Sequence, residues 1–272
     1  MKIDRIIHTN ITSLLPPLSK LSRFKCLSIL AAALGLACTA SAQGLLLSDN
    51  FDGSQTGSLA PVSWNLYGNA TISTGSLNLP DYSSAPNYPT STFASLGYDF
   101  SQQNTPLRID ISATPFYDPS NTTEWVGITI GSETPAFVLD EPFSIILRTN
   151  GQYDSREYSS DLGSGTWGSA ITGSGSYYPF SIVLTNSAGT GSAFGGSSSV
   201  VELFAGDNLV QTFDLPTPLS DDEGYIGFQS TSSGGDSEIQ SVKVSAVPEP
   251  STWAMLSVAG GLLLTFYRRA KA

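Results

Sequence analysis

Acidic side chains offer the first prospect of bond-making chemistry in this chain. Glycoside hydrolysis needs two carboxyl groups at a fixed separation, one as acid and one as nucleophile or base. Asp140 and Glu141 are adjacent and are followed by Pro142. Neighbouring residues of a strand face opposite ways, so this pair does not converge on one bond. Asp154 and Glu157 lie three apart in Tyr153-Asp154-Ser155-Arg156-Glu157. That odd spacing again sends them to opposite faces, and Arg156 is placed to neutralise one of them. A tyrosine base beside an arginine, the arrangement a polysaccharide lyase can use, is the other catalytic option, with Tyr153, Tyr158 and Arg156 as its residues.

Aromatic side chains offer a second prospect, binding without turnover. Sugar rings stack on exposed Trp or Tyr while polar neighbours bond the hydroxyls. Tyr153, Tyr158 and Trp167 lie amid Gly, Ser, Asp and Asn, so exposure on loops is expected of them. They are the candidate carbohydrate-binding residues; Trp64, Tyr177 and Tyr178 are further aromatics of the kind. Trp125 sits among apolar residues and is expected in the core. Oxygen ligands for Ca2+ are a third prospect. Asp49, Asn50 and Asp52 near the start would meet Asp236 and Glu238 if the terminal strands pair. Asp49, Asp52 and Asp236 are the candidate metal ligands.

The ends of the chain narrow these options. Lys20, Arg23 and Lys25 precede an apolar stretch over 26–38, and Ala40-Ser41-Ala42 follows. A basic region, a short apolar core and Ala-x-Ala form a secretory signal peptide, read as residues 1–42 and cut after Ala42. At the other end Pro248-Glu249-Pro250 precedes an apolar run over 253–267 and the basic end 268–272, with Arg268, Arg269 and Lys271. Fifteen helical residues rise about 22 Å against a hydrocarbon core of about 30 Å, a marginal span. The two prolines hold the motif extended just outside the bilayer, and the arginines stay on the cytoplasmic side.

With both ends removed, the body loses the only histidine, His8, and both cysteines, Cys26 and Cys38. A Ser-His-Asp or Cys-His nucleophile system is then excluded, as is any imidazole or thiolate metal site. The body keeps four basic residues, Arg108, Arg148, Arg156 and Lys243, against 21 acidic ones, a net charge of −17. Such a surface repels nucleic acid and anionic lipid, and suits neutral rather than acidic glycans.

The segment 43–246 reads as an all-β sandwich of antiparallel strands: short β-rich runs separated by turn residues, and no helical period. Expected strands cover 70–73, 107–113, 124–130, 143–149, 180–185, 200–205, 209–214, 224–229 and 238–245. Leu107-Arg108-Ile109-Asp110-Ile111 alternates apolar and charged. Gly206-Asp207 and Asn208 form a tight hairpin turn. The stretch 186–199, rich in Gly, Ser and Ala, reads as a long mobile loop.

Two family resemblances follow from these residues. The tail, with Pro248, Glu249 and Pro250, the run 253–267, and Arg268 and Arg269, resembles the PEP-CTERM sorting signal of Gram-negative bacteria. That resemblance implies processing by an exosortase, a membrane transpeptidase, near the motif. It also implies export to the cell surface or extracellular matrix, with a transient inner-membrane anchor. The body is similar to the concanavalin A-like lectin/glucanase jelly roll, including its laminin-G-like branch. The similarity rests on Leu47-Ser48-Asp49-Asn50-Phe51-Asp52-Gly53, Trp125-Val126-Gly127-Ile128, Phe180-Ser181-Ile182-Val183-Leu184 and Gly224-Tyr225-Ile226-Gly227-Phe228. Glucanases of that family place their carboxylates as Glu-x-Asp-x-x-Glu on one strand, a spacing this chain lacks; its laminin-G members often carry Ca2+. The expectation is a non-catalytic adhesion or weak carbohydrate-binding module that meets extracellular polysaccharide. A hydrolase or lyase on the same sandwich, or a structural matrix component, are the alternatives.

Overall fold

Alternation of apolar and polar residues dictates a sheet with one wet face, and the computed structural model builds two such sheets against each other. The structure describes residues 44–80, 92–114, 125–131, 133, 140–169, 177–230 and 237–247. Its strands are β1 (Leu45–Asp49), β2 (Gln55–Thr56), β3 (Trp64–Tyr67), β4 (Thr71–Ser73), β5 (Ser76–Leu79), β6 (Thr92–Leu96), β7 (Leu107–Thr114) and β8 (Trp125–Gly131). There follow β9 (Phe143–Arg148), β10 (Gln152–Glu157), β11 (Ser160–Thr166), β12 (Tyr178–Thr185), β13 (Val200–Ala205), β14 (Asn208–Asp214), β15 (Tyr225–Ser230) and β16 (Ser237–Ala246).

One sheet has nine strands among the described residues, in the order β14-β13-β12-β7-β16-β1-β2, with β5 also pairing β16 and β4 pairing β5. The other has seven, in the order β11-β10-β9-β8-β15-β6-β3. Every strand pair is antiparallel; the isolated bridge between Phe194 and Leu219 is parallel. The core lies between the sheets. Ile109, Ile111, Ile182, Leu184, Val242 and Val244 of the nine-stranded sheet meet Val126, Ile128, Ile130, Ile145, Leu147 and Phe228 of the other, all fully or nearly fully buried. Each such side chain contributes roughly 1.5–3 kcal/mol by leaving water.

Two devices join the sheets at their margins. Asp49 on β1 accepts from Trp64 Nε1 on β3 at 2.9 Å, from Gln55 Nε2 at 2.7 Å and from Phe51 N at 2.7 Å. At the opposite margin Tyr153 of β10 sets its ring edge-on to Phe213 of β14, with centroids 6.1 Å apart.

The segment 186–199 is a loop, as expected, and it is tied down by local hydrogen bonds. Asn186 Oδ1 accepts from Thr190 N and Gly191 N, at 3.2 and 3.3 Å, so one side chain satisfies the turn it starts. Phe194 is buried, and Ser199 Oγ donates to Ala193 O while accepting from Leu219 N. Gly195, at φ +65°, makes room for Asp221, whose Oδ1 would stand 1.7 Å from an added Cβ. Polar composition here encodes local hydrogen bonds rather than slack.

Among the described residues no helix is long and apolar enough to cross a membrane. The predicted signal peptide, the run 253–267 and the motif residues Pro248, Glu249, Pro250, Arg268 and Arg269 lie outside those residues.

Candidate functional site

β10 is the strand that positions a polar cluster. Tyr153, Ser155 and Glu157 are buried, Asp154 and Arg156 are partly exposed, and Gln152 is exposed. Pairing carries the outward set across the sheet. Arg156 lies opposite Ser144 and Asp161, and Asp154 opposite Ile146 and Ser164. Asp154 Oδ2 stands 3.8 Å from Arg148 Nη2 and 3.4 Å from Arg156 Nη2. The cluster lines an open depression of about 380 Å³, completed by Gln152, Tyr153, Asp161, Ser164, Gly165 and Thr166. Trp125, half-buried, is the register partner of Arg148 and so lies on the same face.

Two guanidinium groups around one carboxylate offer fixed donors beside a fixed acceptor. A pair of sugar hydroxyls, each able to donate and accept, complements that set.

Glu157 takes the opposite face, as its spacing from Asp154 requires, and its Oε1 accepts from Thr217 N at 2.6 Å. Asp140 and Glu141 also part: Asp140 is exposed and accepts from Ser159 Oγ at 2.6 Å, whereas Glu141 is buried.

The loop exposure expected of Tyr153 and Trp167 is corrected. Tyr153 is only 6% exposed. It points inward from β10, and Gly165 leaves room for its ring, 2.8 Å from where a Cβ would sit. Burial raises its phenol pKa. Trp167 is 9% exposed and packs edge-on against Phe180 and Tyr178, at 5.0 and 5.5 Å. Tyr153 belongs to the core because its strand phase points inward, and Trp167, just beyond β11, because it packs on Phe180 and Tyr178.

Tyr158 keeps an exposed ring, at 46%, in the β10–β11 turn, where it and Ser159 take φ of 43° and 67°. Its hydroxyl donates to Glu223 Oε1 at 2.5 Å. Desolvation of the hydroxyl and then that bond push its pKa up, the wrong direction for a base. Tyr153 and Arg156 take opposite faces of β10, so the lyase arrangement does not assemble. Tyr177 donates to Glu238 Oε2 at 2.5 Å, and burial with that bond pushes its phenol up to about 12.

Of the Ca2+ candidates, Asp49 and Asp52 lie among the described residues, and both are engaged in hydrogen bonds. Both oxygens of Asp49 are taken by the bonds already given, and Asp49 is buried. Asp52 is exposed and accepts from Ser54 N and Ser54 Oγ, which lower its pKa. Asp236 lies outside the described residues. Among the described residues no group of three or more His, Cys, Asp and Glu side chains is placed to hold a metal ion.

Arg148, Asp161 and Trp125 were not singled out from the sequence as ligand-facing. For Trp125 a signal existed. It precedes Val126, Ile128 and Ile130 by an odd number of residues, so it must face away from the core they build.

No protein-family model matches the chain, and no curated protein matches it. Solved structures resemble it. One is the Emp46p carbohydrate recognition domain in metal-free form, at 12% identity over 75% of this chain and 95% of that one, with a TM-score of 0.48. Another is the VIP36 exoplasmic/lumenal domain in its Ca2+/Man3GlcNAc-bound form, at 10% identity over 76% and 89%, with a TM-score of 0.48. Identities and TM-scores this low transfer neither family nor ligand. The strand pairing itself defines a two-sheet antiparallel β-sandwich.

Proposed function

We propose that this chain is an exported, non-catalytic carbohydrate-binding module on a concanavalin A-like sandwich. The observation that carries the binding is Asp154 held between Arg148 and Arg156 in an open polar depression, with Trp125 the register partner of Arg148. The divergence of Asp154 and Glu157 to opposite faces, and the raised pKa of Tyr158, support a module without turnover. The body's net charge of −17 favours a neutral extracellular polysaccharide as the partner.

Delivery rests on the ends of the sequence. An exosortase-type transpeptidase acts near Pro248-Glu249-Pro250, while the run 253–267 holds the chain in the inner membrane until then. The destination is the cell surface or matrix of a Gram-negative bacterium. Mass spectrometry of protein recovered from host matrix tests this: a C-terminal peptide still carrying Arg268 and Arg269 would defeat it.

Binding is tested by affinity electrophoresis through gels containing soluble dextran, mannan, xylan or alginate. Retardation by one of the neutral polymers is expected, and Asp154→Ala weakens it by about tenfold or more through loss of charge-assisted bonds. Release of reducing ends from the retarding polymer would overturn the non-catalytic reading.

A further inference from the structure

The outer face of the nine-stranded sheet carries a second open depression, of about 480 Å³. Its lining follows from register. Ser181 of β12, Asp110 of β7, Lys243 of β16 and Ser48 of β1 lie opposite one another in turn. Register partners share a face, so the four form one row. The same strands send Ile182, Ile109, Ile111 and Val242 the other way, into the core. The row crosses three strand intervals, roughly 14 Å at about 4.8 Å each. It is open to solvent: Lys243 is exposed, and Asp110, Ser48 and the adjacent Arg108 are half-buried. All of them line the depression.

This depression repeats the construction of the one on β10. There Asp154-Ser155-Arg156 sets a carboxylate and a guanidinium on one face of a strand, with Arg148 as a second cation and Ser164 opposite the carboxylate. Here Arg108-Ile109-Asp110 does the same, with Lys243 as the second cation and Ser181 opposite the carboxylate. Each has a ring at hand. Trp125 is the register partner of Arg148, and the Arg108 guanidinium lies 5.7 Å from the centroid of the Phe204 ring.

The body has four basic residues, and the two depressions hold all four. Solubility does not require them, because 21 acidic residues supply it. The fold gains little from them on this face. The Arg108–Asp110 pair is a third exposed, and Lys243 forms no ion pair among the described residues. What the arrangement does supply is a matched set of donors and acceptors. Arg108 Nε and Ser181 Oγ both bond Asp110 at Oδ1, at 2.6 and 2.7 Å, which fixes the carboxylate and leaves Oδ2 to accept. Lys243 donates beside it, and Ser48, Ser112 and Ser241 add hydroxyls. Arg108 and Lys243 balance Asp110 and Asp207, so the depression is locally neutral within a body of net charge −17. A neutral, hydroxyl-rich polymer complements that set.

We infer that this row is a second polysaccharide seat, on the opposite outer face of the sandwich from the first, and that the chain bridges two strands of one neutral polymer. The inference rests on the glycan-binding reading of the first depression and makes the module bivalent.

The test uses the purified full-length chain, its Asp154→Ala, Asp110→Ala and Lys243→Ala variants, and the double variant at 154 and 110. Each is run by affinity electrophoresis through soluble dextran, mannan or xylan. Capillary viscometry of a dilute solution of the retarding polymer then reads bridging. Asp154→Ala and Asp110→Ala should each keep a residual retardation that the double variant loses. Lys243→Ala should weaken retardation by about two- to tenfold. Its exposed side chain fixes nothing in the fold, so it carries the test if Asp110→Ala does not fold. The unaltered chain should thicken the polymer solution, and neither aspartate variant should. Retardation abolished by Asp154→Ala alone, in a variant with unaltered circular dichroism, would overturn the second seat and leave the first. So would retardation and thickening that survive unchanged in both Asp110→Ala and Lys243→Ala. A retarded chain that leaves the viscosity unchanged would overturn the bridging. A chain retarded by none of the polymers would defeat the glycan-binding reading itself.

Discussion

The outer faces of the two sheets are built on different rules. On the nine-stranded sheet the outer face is charged, half-open and satisfied. Arg108 Nε bonds Asp110 at 2.6 Å, Ser181 Oγ bonds Asp110 at 2.7 Å, and the guanidinium lies 5.7 Å over the Phe204 ring. On the seven-stranded sheet the outer face of the central strands is buried, small and partly unsatisfied, with Ser144, Thr129 and Ser95 beside Ile146 and Phe93. A face open to water takes charges that pair with each other.

The largest effects should expose the joints that both faces share. Asp49→Ala leaves Trp64 Nε1, Gln55 Nε2 and Phe51 N without their acceptor and should cost roughly 3 kcal/mol or more in urea unfolding. Tyr153→Phe, at the opposite margin, removes only a 3.5 Å contact to Gln211 and should cost under about 0.5 kcal/mol. Next, Ile146→Ala should cost about 2–4 kcal/mol because its site is buried on the outer side, whereas Val183→Ala on the other outer face should cost under about 1 kcal/mol. Equal losses would erase the contrast between the faces. Smaller still, a double-mutant cycle on Arg108 and Asp110 should return about 0.2–1 kcal/mol, since both are a third exposed.

The contrast also explains what could be read from the sequence. β7, β13, β14 and β16 were legible within a residue or two because their two faces differ in chemistry. Arg108 and Asp110 alternate with Leu107, Ile109 and Ile111, and that alternation is a sheet with one wet side. β6, β10 and β11 were missed as strands. Ser, Gly, Asp and Thr occupy one or both faces there and mimic turn composition, as in Ser160-Asp161-Leu162-Gly163-Ser164-Gly165-Thr166. The same confusion hid the site. Tyr153 and Trp167 looked like loop aromatics because their neighbours are polar, while Trp125 looked like core because its neighbours are apolar. Strand phase, not neighbourhood, decided Tyr153 and Trp125; packing on Phe180 and Tyr178 decided Trp167, just beyond β11.

A last and weakest effect sharpens the picture at alkaline pH. Tyr158 and Tyr177 have folded-state pKa values above the unfolded value near 10, so neutral phenols favour folding below about pH 10. That contribution fades as pH climbs from about 10 toward 12. Absorbance titration at 295 nm should show these tyrosines ionising late, and Glu238→Gln should bring Tyr177 forward.

The described strands begin and end side by side. Ala246 N donates to Gly44 O at 2.6 Å, and Val247 N donates to Pro106 O at 2.8 Å. A short peptide joining residue 246 to residue 44 would span almost no distance. The sandwich is thus a ready candidate for circular permutation, with new ends opened between Gly206 and Asp207 in a hairpin tip far along the chain from either joint. Such a rearranged chain should keep the same far-ultraviolet circular dichroism.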